Sequence, residues 1–259
     1  MTAMAEAQLA ISDLAIHFGG VRALDGASFD IRPGITTGLI GPNGAGKTTL
    51  FNCISGLIPG ASGQVRFEGR DISRARPEAI SRAGLVRSFQ LARGCENLTV
   101  FEHLMLYGPR QQGENLLKAF IGGRAVREQE EKLRDEALDM AGRLRLTHVL
   151  DNLVTRLSGG QKKLLEIGRV LLAKPKMILL DEPMAGVNPT LVQEIADHLE
   201  VIRRSGIAIV LIEHEMELID RLCDEVIVMA AGKFLARGSF SDIQSNRDVQ
   251  ESYLGLRRQ

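Results

Sequence analysis

No apolar run in this sequence approaches the roughly twenty residues that a membrane-crossing helix requires. The longest candidate, Ile207 to Ile212, is strand length. A membrane-spanning role is thereby excluded for the chain itself. The opening residues, MTAMAEAQLA, lack the basic start and long apolar core of a secretory signal. The expectation is a protein that works from the cytosol. Charge of one sign is equally scarce, because 32 Lys and Arg offset 32 Asp and Glu. That balance describes an ordinary mixed-charge surface and gives no footprint for nucleic acid. Cysteine is sparse: Cys53, Cys95 and Cys223 are odd in number and share no metal-ligand or CxxC spacing. They read as reduced thiols. Internal repeats, coiled-coil heptads and low-complexity linkers are also missing.

What remains is the profile of a soluble globular chain of 259 residues, 44% hydrophobic and 25% charged. Apolar residues alternate at Leu9 and Ile11, then at Leu14, Ile16 and Phe18, which predicts a half-buried strand with one slip. Ala27, Phe29 and Ile31 alternate again before the Pro33-Gly34 turn. Gly38 to Ile40 reads as a buried strand entering a glycine-rich loop, and Lys47 to Leu57 as the helix after it.

From about Thr99 to Leu157 the character changes. Val126, Leu133, Ala137, Met140, Ala141 and Leu144 share one helical face, so Arg124 to Leu146 is an amphipathic helix. The segment from Phe101 is similarly helical, with a break at Gly122-Gly123. Strands return at Met177 to Leu180 and Ile207 to Ile212, around a helix from Pro189 to Arg204. Val226 to Met229 and Lys233 to Ala236 flank Ala231-Gly232 as a hairpin. The expected fold class is α/β, a P-loop nucleotide-binding core with an antiparallel β part and a helical insertion. It forms a single domain over residues 1–259, in which about 1–90 and 162–259 make the core and β part and about 91–161 the insertion.

Three segments carry chemistry. Gly41, Pro42, Asn43, Gly44, Ala45, Gly46, Lys47 and Thr48, followed by Thr49, match G-x-x-x-x-G-K-[ST] between a buried strand and a helix. Gly44 and Gly46 free backbone N–H groups to curl around phosphate oxygens, and the helix N-terminus adds positive potential. Lys47 supplies a point charge to the β- and γ-phosphates, and Thr48 offers a hydroxyl to Mg2+. The bland alternative is a glycine-rich turn capped by Thr48.

Met177 to Glu182 reads MILLDE, an apolar strand ending in two acids. Acids at the carboxyl end of a core strand lie beside the crevice where α/β sheets bind ligands. Asp181 can hold Mg2+, through water, and Glu182 can orient and polarise an attacking water. Leu157 to Gln161 reads LSGGQ, and Ser158 with Gln161 makes a capping-box pattern. The cap accounts for Ser158 and Gln161. Gly159 and Gly160 weaken a helix start, and make sense if an anion must approach it closely.

Together these segments resemble the ABC ATPase family, in that family's order and spacing and over essentially the whole chain. The resemblance implies that Gln90, in RSFQ, touches Mg2+ and senses a membrane partner. It implies that His214, in LIEHEM, contacts the γ-phosphate, and that Phe18 stacks on adenine. Ser158, Gly159, Gly160 and Gln161 would meet the ATP held by a second ATPase subunit, identical or sibling, in a head-to-tail dimer. Further implied partners are integral membrane permease subunits and an external solute-binding protein, with the chain peripheral on the cytoplasmic face of the inner membrane. A narrower resemblance, to the ATP-binding subunits of branched-chain amino acid importers, rests on LLEIGRVLLAKP at Leu164 to Pro175, DEPMAGVNP at Asp181 to Pro189, LIEHEM, SYLG at Ser252 to Gly255 and the long insert before LSGGQ. Asn188 supports it. LSGGQ here is the general family form, which that branch often varies. Related subunits for urea, amides or lipopolysaccharide export look much alike. A soluble, non-transport ABC ATPase would carry a coiled-coil insertion or tandem ATPase domains, and neither is present.

Overall fold

The computed structural model describes residues 7–88, 96–108 and 124–255. Gln90, the Leu91 to Cys95 segment and the Gly122-Gly123 break lie outside the described residues. Contacts divide the chain into two compact units, one of Met1–Arg87, Lys176–Ala185 and Val192–Gln259, the other of Ser88–Pro175 and Gly186–Leu191.

The first unit holds two sheets. Strands β1 (Leu9–Phe18), β2 (Val21–Ile31), β4 (Ser62–Phe67) and β5 (Arg70–Asp71) form an antiparallel sheet in the order β2-β1-β4-β5. The slip expected in β1 is a register shift between Ile11 and Leu14, where Asp13 takes a positive φ of 49°. Such an irregularity returns Leu14 and Ile16 to the buried face after an extra residue. The second sheet combines β3 (Thr36–Ile40), β6 (Leu85–Arg87), β7 (Met177–Asp181), β8 (Ala208–Ile212), β9 (Glu225–Ala230) and β10 (Lys233–Gly238) in the order β10-β9-β3-β8-β7-β6. Its pairings from β9 to β6 are parallel, and β10 is antiparallel at the edge. The β9–β10 hairpin turns at Ala231 and Gly232, both with positive φ, as two-residue hairpins favour.

One apolar cluster joins the inner faces of both sheets to α1 (Lys47–Ile54) through Leu9, Leu24, Leu39, Phe51, Phe67 and Leu179. Helix α1 stops at Ile54, short of the expected Leu57, because Gly56 enters the left-handed region at φ 70°. The unit is completed by α2 (Pro77–Ala83), by the part of α6 (Pro189–Arg204) from Val192 onward and, beyond β8, by α7 (Met216–Leu222), α8 (Phe240–Ser245) and α9 (Arg247–Gly255).

The second unit is helical, with α3 (Val100–Leu106), α4 (Arg124–Arg143) and α5 (Gly159–Leu172). Leu133, Ala137 and Ala141 are buried along the expected face of α4, with Leu144 just beyond its end. A Cβ on Gly168 of α5 would lie 2.6 Å from Leu144 Cδ1, so this glycine permits the close packing of α5 on that segment. Helix α6 (Pro189–Arg204) has the expected bounds, and Asn188 caps it by accepting the Leu191 N–H at 3.0 Å. Asparagine and aspartate cap equally well, which accounts for Asn188 locally. No helix among the described residues is long and apolar enough to cross a membrane. The Cys53 and Cys223 thiols are free, and burial raises them to about 11 and about 12. Inert reduced thiols have this character.

Candidate functional site

Strands β3, β8, β7 and β6 lie side by side and parallel, so their carboxyl ends share one edge of the sheet. Four segments leave that edge: the glycine-rich loop after β3, Glu213 and His214 after β8, Asp181 and Glu182 at the end of β7, and Arg87 at the end of β6. Ligands of open α/β sheets bind at such an edge.

The loop is held by backbone hydrogen bonds, one of its own and one from the β9–β10 turn. Ala45 N–H donates to Pro42 O at 3.1 Å, and Gly232 N–H donates to Ala45 O at 3.0 Å. Gly41 has φ 150°, Gly44 φ 79° and Gly46 φ 98°. The demand on Gly46 is also one of space, because a Cβ there would lie 2.4 Å from Ala23 O. Lys47 opens α1 and is 7% exposed, and its Nζ donates to Gly41 O at 2.7 Å and Pro42 O at 3.1 Å. The ammonium therefore sits beneath the arch of the loop. Burial pushes Lys47 below the usual lysine range, while the charges of Glu182 and Asp181 push it back. That coupling brings the phosphate loop and the acidic pair into one electrostatic neighbourhood. Asn43, Gly44 and Thr48 are exposed; Pro42 and Ala45 are buried, and Thr49 is half-buried.

Asp181 accepts from Arg87 Nη2 at 2.8 Å, and Arg87 Nη1 donates to Asn52 Oδ1 at 2.5 Å. The guanidinium also lies over the Phe51 ring, 5.6 Å from its centroid. Burial lowers the Arg87 pKa, opposed by Asp181. Glu182 takes φ 48°, uncommon for a residue with a side chain. Its N–H donates to Ile212 O at 2.9 Å, and its carbonyl accepts Ala185 N–H at 3.2 Å. His214 Nε2 lies 2.8 Å from Glu182 Oε1, both side chains being about half exposed. Phe18 ends β1 and is 46% exposed.

In the helical unit, Ser158 caps α5. Its hydroxyl accepts Gln161 N–H at 3.2 Å, and Gln161 Oε1 accepts Ser158 N–H at 3.0 Å. Gln161 Nε2 is 3.4 Å from His148 Nε2. The two glycines differ. A Cβ on Gly160 would lie 1.8 Å from Leu191 Cδ2, whereas a Cβ on Gly159 would meet open space.

Among the described residues no group of three or more His, Cys, Asp or Glu could hold a metal. A hydroxyl at Thr48 and a carboxylate at Asp181 are nevertheless oxygen donors, and Mg2+ binds through one or two carboxylates, water and substrate phosphates. The donor set fits that ion.

Arg87 in RSFQ and Glu213 in LIEHEM carry no role in the sequence reading. Arg87 was legible as an arginine closing the short apolar strand LVR, and Glu213 as an acid directly after five buried residues. Tyr253 entered only as part of SYLG, yet its half-buried hydroxyl meets the Gly41 backbone N–H. His148 beside Gln161 had no signal in the sequence.

The profile described as "ABC transporter" matches residues 24–185. The chain is 37% identical over 247 residues to a probable branched-chain amino acid transport ATP-binding protein of Archaeoglobus fulgidus, covering 95% of each. It is 33% identical to the high-affinity branched-chain amino acid transport ATP-binding protein of Pseudomonas aeruginosa, over 95% of this chain and 97% of that one. Among solved structures it is similar to a nucleotide-free ATP-binding cassette from an ABC transporter, with TM-score 0.81, 35% identity, and 95% and 98% coverage. An ABC transporter cassette in its ADP conformation gives TM-score 0.81 at 36% identity, covering 96% of this chain and 99% of that one.

Proposed function

The chain belongs to the ABC transporter family as an ATP-binding subunit, and on that footing we propose that it drives import of branched-chain or related amino acids by hydrolysing ATP. The observation that carries the reading is the common edge of β3, β8 and β7, where Lys47 lies within electrostatic reach of both Asp181 and Glu182. The amino acid class is supported by the relatives, whose names specify branched-chain amino acid transport over nearly the whole length of this chain.

In this reading the arch of Gly41 to Thr49 cradles the phosphates and Lys47 moves from the loop carbonyls to the phosphate charge. Phe18 stacks on the base. Thr48, Asp181 and Gln90 would hold Mg2+, which would supply positive charge at the phosphate oxygens. Glu182 orients and polarises the attacking water, and His214, in contact with Glu182, reaches the γ-phosphate. Ser158, Gly159, Gly160 and Gln161 complete the site of a second ATPase subunit, and Gln90 with the helical unit couples to the permease. The chain then works at the cytoplasmic face of the membrane, attached through permease subunits that receive solute from an external binding protein.

Lys47→Ala should abolish hydrolysis and weaken ATP binding, since buried phosphate charge loses its counter-ion. Uptake of labelled leucine in cells lacking the gene should be restored by the wild type and not by Lys47→Ala. Wild-type turnover by folded Lys47→Ala would overturn the site. Leucine, isoleucine and valine uptake that ignores deletion of the gene would overturn the substrate class.

A further inference from the structure

We propose that Glu213, a member of LIEHEM given no role above, is the positioning residue that locks Glu182 and His214 into register. The inference rests on the hydrolytic reading of that pair and extends it to the strut beneath. Glu213 is 5% exposed, and the donors it meets are backbone: Met184 N–H reaches Oε1 at 3.0 Å and His214 N–H reaches Oε2 at 3.3 Å. One carboxylate thus ties the turn that carries Glu182 to the peptide that carries His214.

The turn needs such a tie. Glu182 leaves β7 in the left-handed region, and its carbonyl accepts Ala185 N–H, enclosing Met184 within the turn. Met184 is 3% exposed, so its N–H would be a buried unpaired donor without Glu213. Left-handed backbone at a residue with a side chain persists only where its surroundings hold it. The Glu182 N–H to Ile212 O bond holds one end of the turn, and Glu213 holds its middle. With both in place, His214 Nε2 stands 2.8 Å from Glu182 Oε1. A buried carboxylate is a costly way to accept two N–H groups. Burial does raise the Glu213 pKa, partly offset by the Met184 and His214 N–H donors. An ionised carboxylate presents two acceptor oxygens, which an amide or hydroxyl of that size does not.

The test uses the full-length subunit assembled with its permease, in Glu213→Gln and Glu213→Asp forms. Glutamine keeps the size but turns an NH2 toward one of the N–H donors; aspartate keeps the charge but is too short to span both. Each should lower kcat on the order of ten- to a hundredfold, the scale of a small misplacement of reacting groups, with KM for ATP and binding of a fluorescent ATP analogue unchanged. In a Glu182→Gln background the added Glu213→Gln should give no further loss in single turnover, because both act through the same group. Wild-type kcat in either folded variant would overturn the proposal. So would a parallel rise in KM, an equal additional loss in the Glu182→Gln background, or failure of both variants to fold, each of which assigns Glu213 to fold maintenance. Retention of wild-type turnover by Glu182→Gln alone would instead overturn the hydrolytic reading.

Discussion

Two glycines that are adjacent in sequence answer to different forces. Gly160 is packed inside its own unit, where an added side chain would push Leu191 aside. Gly159 has open space where its Cβ would point, so nothing among the described residues demands a glycine there. Alanine in place of a helical glycine ordinarily adds about 0.5–1 kcal/mol of stability. Gly159→Ala should therefore unfold in denaturant at the same midpoint or a slightly higher one, while ATP hydrolysis by the assembled transporter falls. Gly160→Ala should lower the midpoint by itself. Full activity in Gly159→Ala would remove the close approach proposed for that residue. From the sequence both glycines looked equivalent, because a repeated letter carries no information about what lies beyond each Cα. Lys47 was legible through its motif, but the carbonyls it rests against and the burial that depresses its pKa are consequences of the loop's path.

Among helices, the capping box recurs and separates a structural from a functional reading. Thr99 with Glu102 caps α3, and Ser158 with Gln161 caps α5, in the same reciprocal pattern. Loss of such a cap costs about 1 kcal/mol. Thr99→Ala and Ser158→Ala should each lower unfolding free energy by about that amount, measured in urea without nucleotide. Only Ser158→Ala should also reduce ATP-dependent turnover beyond what its stability loss explains. Equal turnover in the two variants would reduce Ser158 to a cap. The elements themselves were largely readable, because each announces its period locally: the alternation and slip of β1, the apolar face of α4, the two turn residues between β9 and β10. The boundaries that moved did so for backbone reasons, as at the end of α1, where Gly56 stops the helix before its apolar sequence ends.

For the whole molecule, one chain supplies one phosphate loop and one LSGGQ segment, and in the proposed reading a head-to-tail pair lets each ATP meet both. Glu182→Gln keeps the size of the side chain and removes its basicity. ATP should then remain unhydrolysed, and the closed pair should accumulate to the extent that ATP favours it over the open state. Mass measured in solution should double with ATP and stay single with ADP, with a sibling ATPase added if the partner is not identical. Adding Gly159→Asp should prevent the change by facing the phosphate with a carboxylate. No ATP-dependent pair in any mixture would overturn the shared site.

Sequence alone was enough for the α/β class, the nucleotide chemistry and the family, since these reside in contiguous motifs and local periodicities that any reader of the chain meets in order. Neighbours brought together by the sheet were not: Arg87 against Asp181, and Glu213 beneath Glu182 and His214. Those pairings come from the strand order β10-β9-β3-β8-β7-β6, which sets side by side the ends of segments far apart in the chain. Strand order follows from burying both faces of a parallel sheet at once, a sum over the whole fold that no single window of residues contains.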